Sequence, residues 1–127
     1  MAAGARRALP LNVSGAFHSS LLNEASVELR AELDKYTPNK PVYKIVYNVS
    51  GKEMNENLND ILQQQICHSV YFEDSIRYMI AQGVDTFVEI GPGATLSSFI
   101  KKTSKDVAVY NVSTVEGLKA CFEALKK

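Results

Sequence analysis

A chain of 127 residues, 46% hydrophobic and 22% charged, has the length and composition of one compact soluble domain with a core of its own. Fourteen basic residues balance fourteen acidic ones, so nucleic acid and anionic membrane, which reward a basic surplus, are excluded as main partners. No run is long enough to span a bilayer, MAAGARRALP lacks the apolar core of a secretory signal, and Cys67 and Cys121 have neither zinc-ligand spacing nor the numbers of a disulfide framework, which together point to the cytoplasm and to no metal or cofactor.

The predicted elements alternate. Ala8–Val13 is a short apolar stretch ending in Asn-Val-Ser-Gly, a strand meeting a turn. From Ser19 to Tyr36, Leu22, Ala25, Leu29 and Leu33 recur at three- and four-residue spacing, which predicts an amphipathic helix ended by Thr37-Pro38-Asn39-Lys40-Pro41. VYKIVYNV at 42–49 is β-branched and aromatic, hence a buried strand. Helices follow from Leu58 to about Cys67 and from Phe72 to Gln82, the second capped by Gly83. Thr86–Ile90 is a strand closed by Gly91-Pro92-Gly93, Thr95–Lys102 a helix, Val107–Tyr110 a strand and Val115–Leu125 a last helix. Such alternation predicts an α/β fold, with a mostly parallel sheet and helices on both faces. MAAGARR reads as the last turn of a preceding helix, so the chain reads as starting midway through a fold.

Few residues offer chemistry. His18 follows the carboxyl end of a predicted strand, where reacting groups gather in open α/β sheets, and an imidazole there suits a general base. Position alone leaves open a histidine that only caps or packs against the next helix. Cys67-His68 lacks further metal ligands, and adjacent side chains on a helix point apart. Gly91-Pro92-Gly93 matches no phosphate-binding pattern and reads as a tight turn. No G-x-S-x-G nucleophile elbow occurs, and Ser19 is too close in sequence to His18 to share a proton with it. The chain carries a base without a nucleophile.

RRALPLNVSGAFHSSLL at 6–22, VYNVSGK at 46–52, FEDSIRYMIAQGV at 72–84 and FVEIGPGATLSSFIKK at 87–102 resemble, in order and spacing, the C-terminal part of the malonyl-CoA:acyl-carrier-protein transacylases of fatty acid synthesis. The resemblance implies an acyltransferase α/β-hydrolase-like core over 16–127, with 1–15 the remnant edge of a ferredoxin-like small subdomain. In that family a seryl ester carries malonyl from coenzyme A to carrier-protein phosphopantetheine. His18 matches the family's proton-shuttling histidine, and a backbone carbonyl in the segment matching QQQICHSV orients it; alignment from FEDSIRYM gives Gln65, or Gln64 if the helix ends one residue early. Phe17, in Ala16-Phe17-His18, matches the malonyl-selective version of the motif and would crowd an α-methyl group.

His68-Ser69 departs from the Asn-Pro or Ser-Pro usual after that glutamine. The family's serine elbow, malonyl-clamping arginine and oxyanion-hole donors have no counterpart in these 127 residues. The expectation is a chain inactive by itself, able to use malonyl-CoA and acyl carrier protein only with the complementary N-terminal half. It would self-associate through an exposed sheet edge. The alternative is a non-catalytic module on the same fold that binds carrier protein or another partner.

Overall fold

The computed structural model describes Gly4 and residues 13–126. The elements are a 3-10 turn at Ser20–Leu22, α1 (Asn23–Leu33), α2 (Leu58–Cys67), α3 (Phe72–Ala81), β1 (Thr86–Ile90), α4 (Thr95–Thr103), β2 (Ala108–Val112) and α5 (Val115–Leu125). The expected strand at Ala8–Val13 and the expected subdomain edge at 1–15 lie largely outside the described residues. No described helix is long and apolar enough to cross a membrane.

The class is α/β with parallel pairing. β1 and β2 run side by side with Thr86 opposite Ala108 and Ile90 opposite Val112. β2 extends two residues beyond the predicted Tyr110, because Asn111 and Val112 find ladder partners in Glu89 and Ile90. Side chains alternate across the sheet, so Phe87 and Val109 share one face. There Phe87, Ile76 of α3 and Ile100 of α4 form the buried core, flanked by Phe72, Met79, Ile80, Val84 and Val107. Burial of each large apolar side chain contributes about 1.5–3 kcal/mol. On the opposite face Val88 and Ile90 remain 39% and 81% exposed.

Helix ends follow the local chemistry. Asn57 caps α2, its side chain accepting from Asn59 N–H at 2.9 Å, and Thr114 caps α5 by accepting from Gly117 N–H at 3.1 Å. α3 ends in a Schellman motif. Gly83 takes φ +91°, its N–H donates to Ile80 O at 2.9 Å, and Val84 N–H donates to Met79 O at 3.0 Å.

One predicted element is corrected. Residues 42–49 form no strand: their only ladder contact is an isolated antiparallel bridge from Tyr47 to Lys52. Val42 and Tyr43 are 89% and 85% exposed, and only Tyr47 is buried. β-branched composition suits a pleated, half-buried surface but cannot supply a neighbouring backbone, and none pairs with 42–46 among the described residues. The chain instead turns tightly at Gly51 (φ +68°), whose N–H donates to Tyr47 O at 2.9 Å. The helix predicted from Ser19 to Tyr36 is also shorter, opening as a 3-10 turn and ending at Leu33.

Candidate active site at the C-terminal end of α2

An α-helix leaves its last four carbonyls without intrahelical partners. In α2 the helix stops because His68 is extended (φ −111°, ψ 160°), so the N–H groups that would have reached Gln65 and Ile66 point elsewhere. Gln64 O is taken by His68 N–H at 3.0 Å. The next two carbonyls are taken by one residue from the other side of the site. His18 N–H donates to Ile66 O at 2.9 Å, and His18 Nδ1 lies 2.8 Å from Gln65 O.

That second contact fixes the imidazole. A carbonyl only accepts, so Nδ1 carries a proton, and in the neutral ring it is Nε2 that keeps the lone pair. Of the two glutamines expected to supply a carbonyl, Gln65 is the one that reaches the ring, while Gln64 serves the helix end. The Ser69 departure from proline leaves this contact formed. His18 itself has φ +61°, the sole non-glycine positive φ among the described residues. Left-handed backbone is uncommon outside glycine, though histidine, asparagine and aspartate enter it more readily than bulky residues. Strain of this kind marks a position over-determined by its surroundings; here the two carbonyls of α2 hold it.

The arrangement offers an exposed Nε2 able to take a proton from a hydroxyl or thiol brought to it. Among the described residues no serine hydroxyl hydrogen-bonds to His18. The nearest in sequence, Ser19, donates instead to Ala16 O at 2.7 Å. Phe17 is 60% exposed beside His18. A Cβ added at Gly15 would lie 3.2 Å from the Phe17 ring, so glycine there leaves the ring its place.

Cys67 and His68 differ from the sequence expectation that neighbours on a helix point apart. Cys67 Sγ lies 3.2 Å from His68 Nδ1, because His68 is off the helix and its ring folds back over the last turn to within 3.1 Å of Gln64 O. No group of three or more potential metal ligands accompanies them among the described residues.

The Gly91-Pro92-Gly93 turn is braced by a residue the sequence reading passed over. Glu89 at the end of β1 accepts from the N–H groups of Leu96 and Ser97 in the first turn of α4, at 3.2 and 2.9 Å, and from Asn111 Nδ2 at 3.2 Å. Asn111 Nδ2 also donates to Gly93 O at 2.6 Å. The adjacent Ser97 hydroxyl, then the Ser97 and Leu96 N–H groups and Asn111, hold the Glu89 carboxyl below its ordinary range against the opposing effect of burial. Ser97 Oγ itself completes no hydrogen bond, so it acts on Glu89 as a nearby dipole. With a carboxylate already on these N–H groups, the turn is structural and not an anion site. The sequence signal was a carboxylate two residues before a Gly-Pro-Gly turn that opens a helix.

The fold is the α/β fold of acyltransferases of known structure. No family model matches the chain. It is homologous to malonyl CoA-acyl carrier protein transacylases: that of Bacillus subtilis (strain 168) is 39% identical over 126 residues, covering 98% of this chain and 40% of the relative. The crystal structure of the Streptococcus pneumoniae enzyme superposes with a TM-score of 0.91 at 36% identity, over 97% of this chain and 41% of that one. A malonyl-transacylase solved in complex with a type II PKS acyl-carrier protein gives a TM-score of 0.89 at 30% identity, over 97% and 40%. The chain thus spans about 40% of the length of the curated relative.

Proposed function

We propose that residues 16–127 are the histidine-bearing part of the core of a malonyl-CoA:acyl-carrier-protein transacylase of fatty acid synthesis. The observation that carries this reading is the 2.8 Å contact from His18 Nδ1 to Gln65 O in a homologue of these enzymes. Gln65 orients the ring through its backbone, and His18 Nε2 moves the proton.

The chemistry then runs in two balanced halves. Nε2 takes the proton of a serine hydroxyl as its oxygen attacks the malonyl thioester carbon. The C–S bond breaks, coenzyme A leaves as thiol with the proton returned from the imidazolium, and a malonyl-serine ester remains. In the second half Nε2 deprotonates the phosphopantetheine thiol of the carrier protein, sulfur attacks the ester, and the serine recovers its proton. The serine comes from outside these 127 residues, which contain no G-x-S-x-G. With nucleophile, carboxylate clamp and oxyanion-hole donors all elsewhere, residues 1–127 by themselves do not transfer malonyl.

Phe17 sets acyl choice. Its ring beside His18 crowds an α-methyl group, a discrimination of about 1–3 kcal/mol. The test is complementation: the 127-residue chain is mixed with an N-terminal transacylase portion bearing the serine elbow, and malonyl transfer from coenzyme A to holo-acyl carrier protein is followed. Restored transfer that Phe17→Ser shifts toward methylmalonyl supports the proposal. A stable complex without transfer would overturn it in favour of a partner-binding module.

A further inference from the structure

The interface between α1 and α2 holds a polar cluster that the transfer chemistry does not touch. Asn59, on the first turn of α2, is only 7% exposed. Its Nδ2 donates to Leu33 O at 3.1 Å, the last carbonyl of α1, and to Asp34 Oδ1 at 3.2 Å. Arg30 of α1 donates through Nε to the same Asp34 oxygen at 2.7 Å and through Nη1 to Asp60 of α2. The Arg30 guanidinium, then the Asn59 amide, hold the Asp34 carboxyl below the usual carboxylate range.

α1 and α2 are therefore tied at both ends. At one end the last carbonyl of α1 meets Asn59; at the other His18, just before the turn that leads into α1, meets the last carbonyls of α2. Gln65 lies six residues beyond Asn59, about 9 Å along a helix, with neither glycine nor proline between them. Such a segment moves as a rod, so a slip at Asn59 arrives undiminished at the Gln65 carbonyl. Apolar packing, as at Ile61, which is 1% exposed, resists separation but is non-directional. Directed amide donors fix height and rotation, the register role best attested for buried polar groups.

We infer that Asn59, with the Arg30–Asp60 ion pair beside it, is a positioning residue that sets the Gln65 carbonyl under His18 Nδ1 and thereby fixes the tautomer of the imidazole. This deepens the reading of His18 as the base and rests on it. The test needs no nucleophile, so its failure is distinct from a failure of complementation.

In the 127-residue chain, with His68→Gln leaving one imidazole, nitrogen NMR at alkaline pH reads the neutral tautomer of His18. The parent shows mainly the Nδ1–H form. Asn59→Asp keeps the shape but replaces the donor with a group facing Asp34, and lowers the Nδ1–H fraction about twofold or more as the ring relaxes toward the Nε2–H form. Asp60→Asn gives a smaller change in the same direction and carries the test if Asn59→Asp does not fold. Ile61→Val loosens the same interface without touching a hydrogen bond and leaves the fraction at the parental value. The inference is overturned if the folded Asn59 and Asp60 variants keep the parental fraction, or if Ile61→Val lowers it as much as they do.

Discussion

His18 is oriented by carbonyls where many acyl-transfer histidines have a carboxylate. A carbonyl fixes the tautomer equally well, yet it brings no formal charge to stabilise an imidazolium. The partner is a backbone atom, so no side-chain replacement at Gln65 removes it. His18 is the position to test. His18→Asn suits the left-handed backbone at φ +61° better than alanine would, so it isolates proton transfer from folding. In the complemented enzyme it is expected to lower kcat roughly 10²–10⁴-fold, the usual range for a lost general base. A similar loss of thermal stability in this variant would show that the ring is structural.

Glu89 makes a pH prediction. Its folded carboxyl titrates below its ordinary value, so its contribution is fully present above the unfolded pKa and is lost as pH falls through the folded one. Glu89→Gln is expected to lower the Tm at neutral pH, with the gap to the parent closing as both are acidified below the ordinary carboxylate range. Thermal melts across that range check it. A gap that is constant with pH would mean the carboxylate charge contributes nothing to holding the first turn of α4.

At the scale of elements, what was legible depended on whether the information was local. α2 and α3 end within a residue of their expected limits because Asn57, Gly83 and the apolar spacing act within a few residues. VYKIVYNV misled because strand formation needs a partner that composition does not name. The Asn59 cluster was illegible for a related reason: a polar residue in the first turn of a helix looks solvated until α1 is seen against it. His18 and Gln65 lie 47 residues apart, and only family resemblance joined them before the structure did.

The turn at 47–52 and the core give two measurable outcomes at this scale. Gly51 needs φ +68°, and a Cβ there would stand 2.7 Å from Asp74 Cβ. Gly51→Ala is therefore expected to destabilise the chain by roughly 1–3 kcal/mol, seen as a lower denaturant midpoint. Ile76→Ala, emptying a side chain that is 1% exposed, is expected to cost about 2–5 kcal/mol. Equal midpoints for Gly51→Ala and the parent would show that the turn can leave α3 freely.

At the scale of the whole molecule, the apolar surface is unevenly covered. Val115, Leu118, Phe122 and Leu125 recur along α5 at three- and four-residue spacing and are each at least 51% exposed, and Ile90 on β1 is 81% exposed. Patches of this kind on a small chain mark contact surfaces. If they meet the serine-bearing part of a transacylase, the 127-residue chain by itself self-associates, and the complement disperses it into a defined heterodimer. Sedimentation velocity distinguishes the two. A monomer indifferent to the complement would contradict this account of the surface.

The most direct measurement is the intact mass of the chain after incubation with malonyl-CoA, alone and with the serine-bearing complement. No adduct is expected on residues 1–127 in either mixture. One malonyl group is expected on the complement, formed only when both are present and lost with His18→Asn. A stoichiometric malonyl adduct on the 127-residue chain itself would contradict the proposal, because the nucleophile would then lie within these residues.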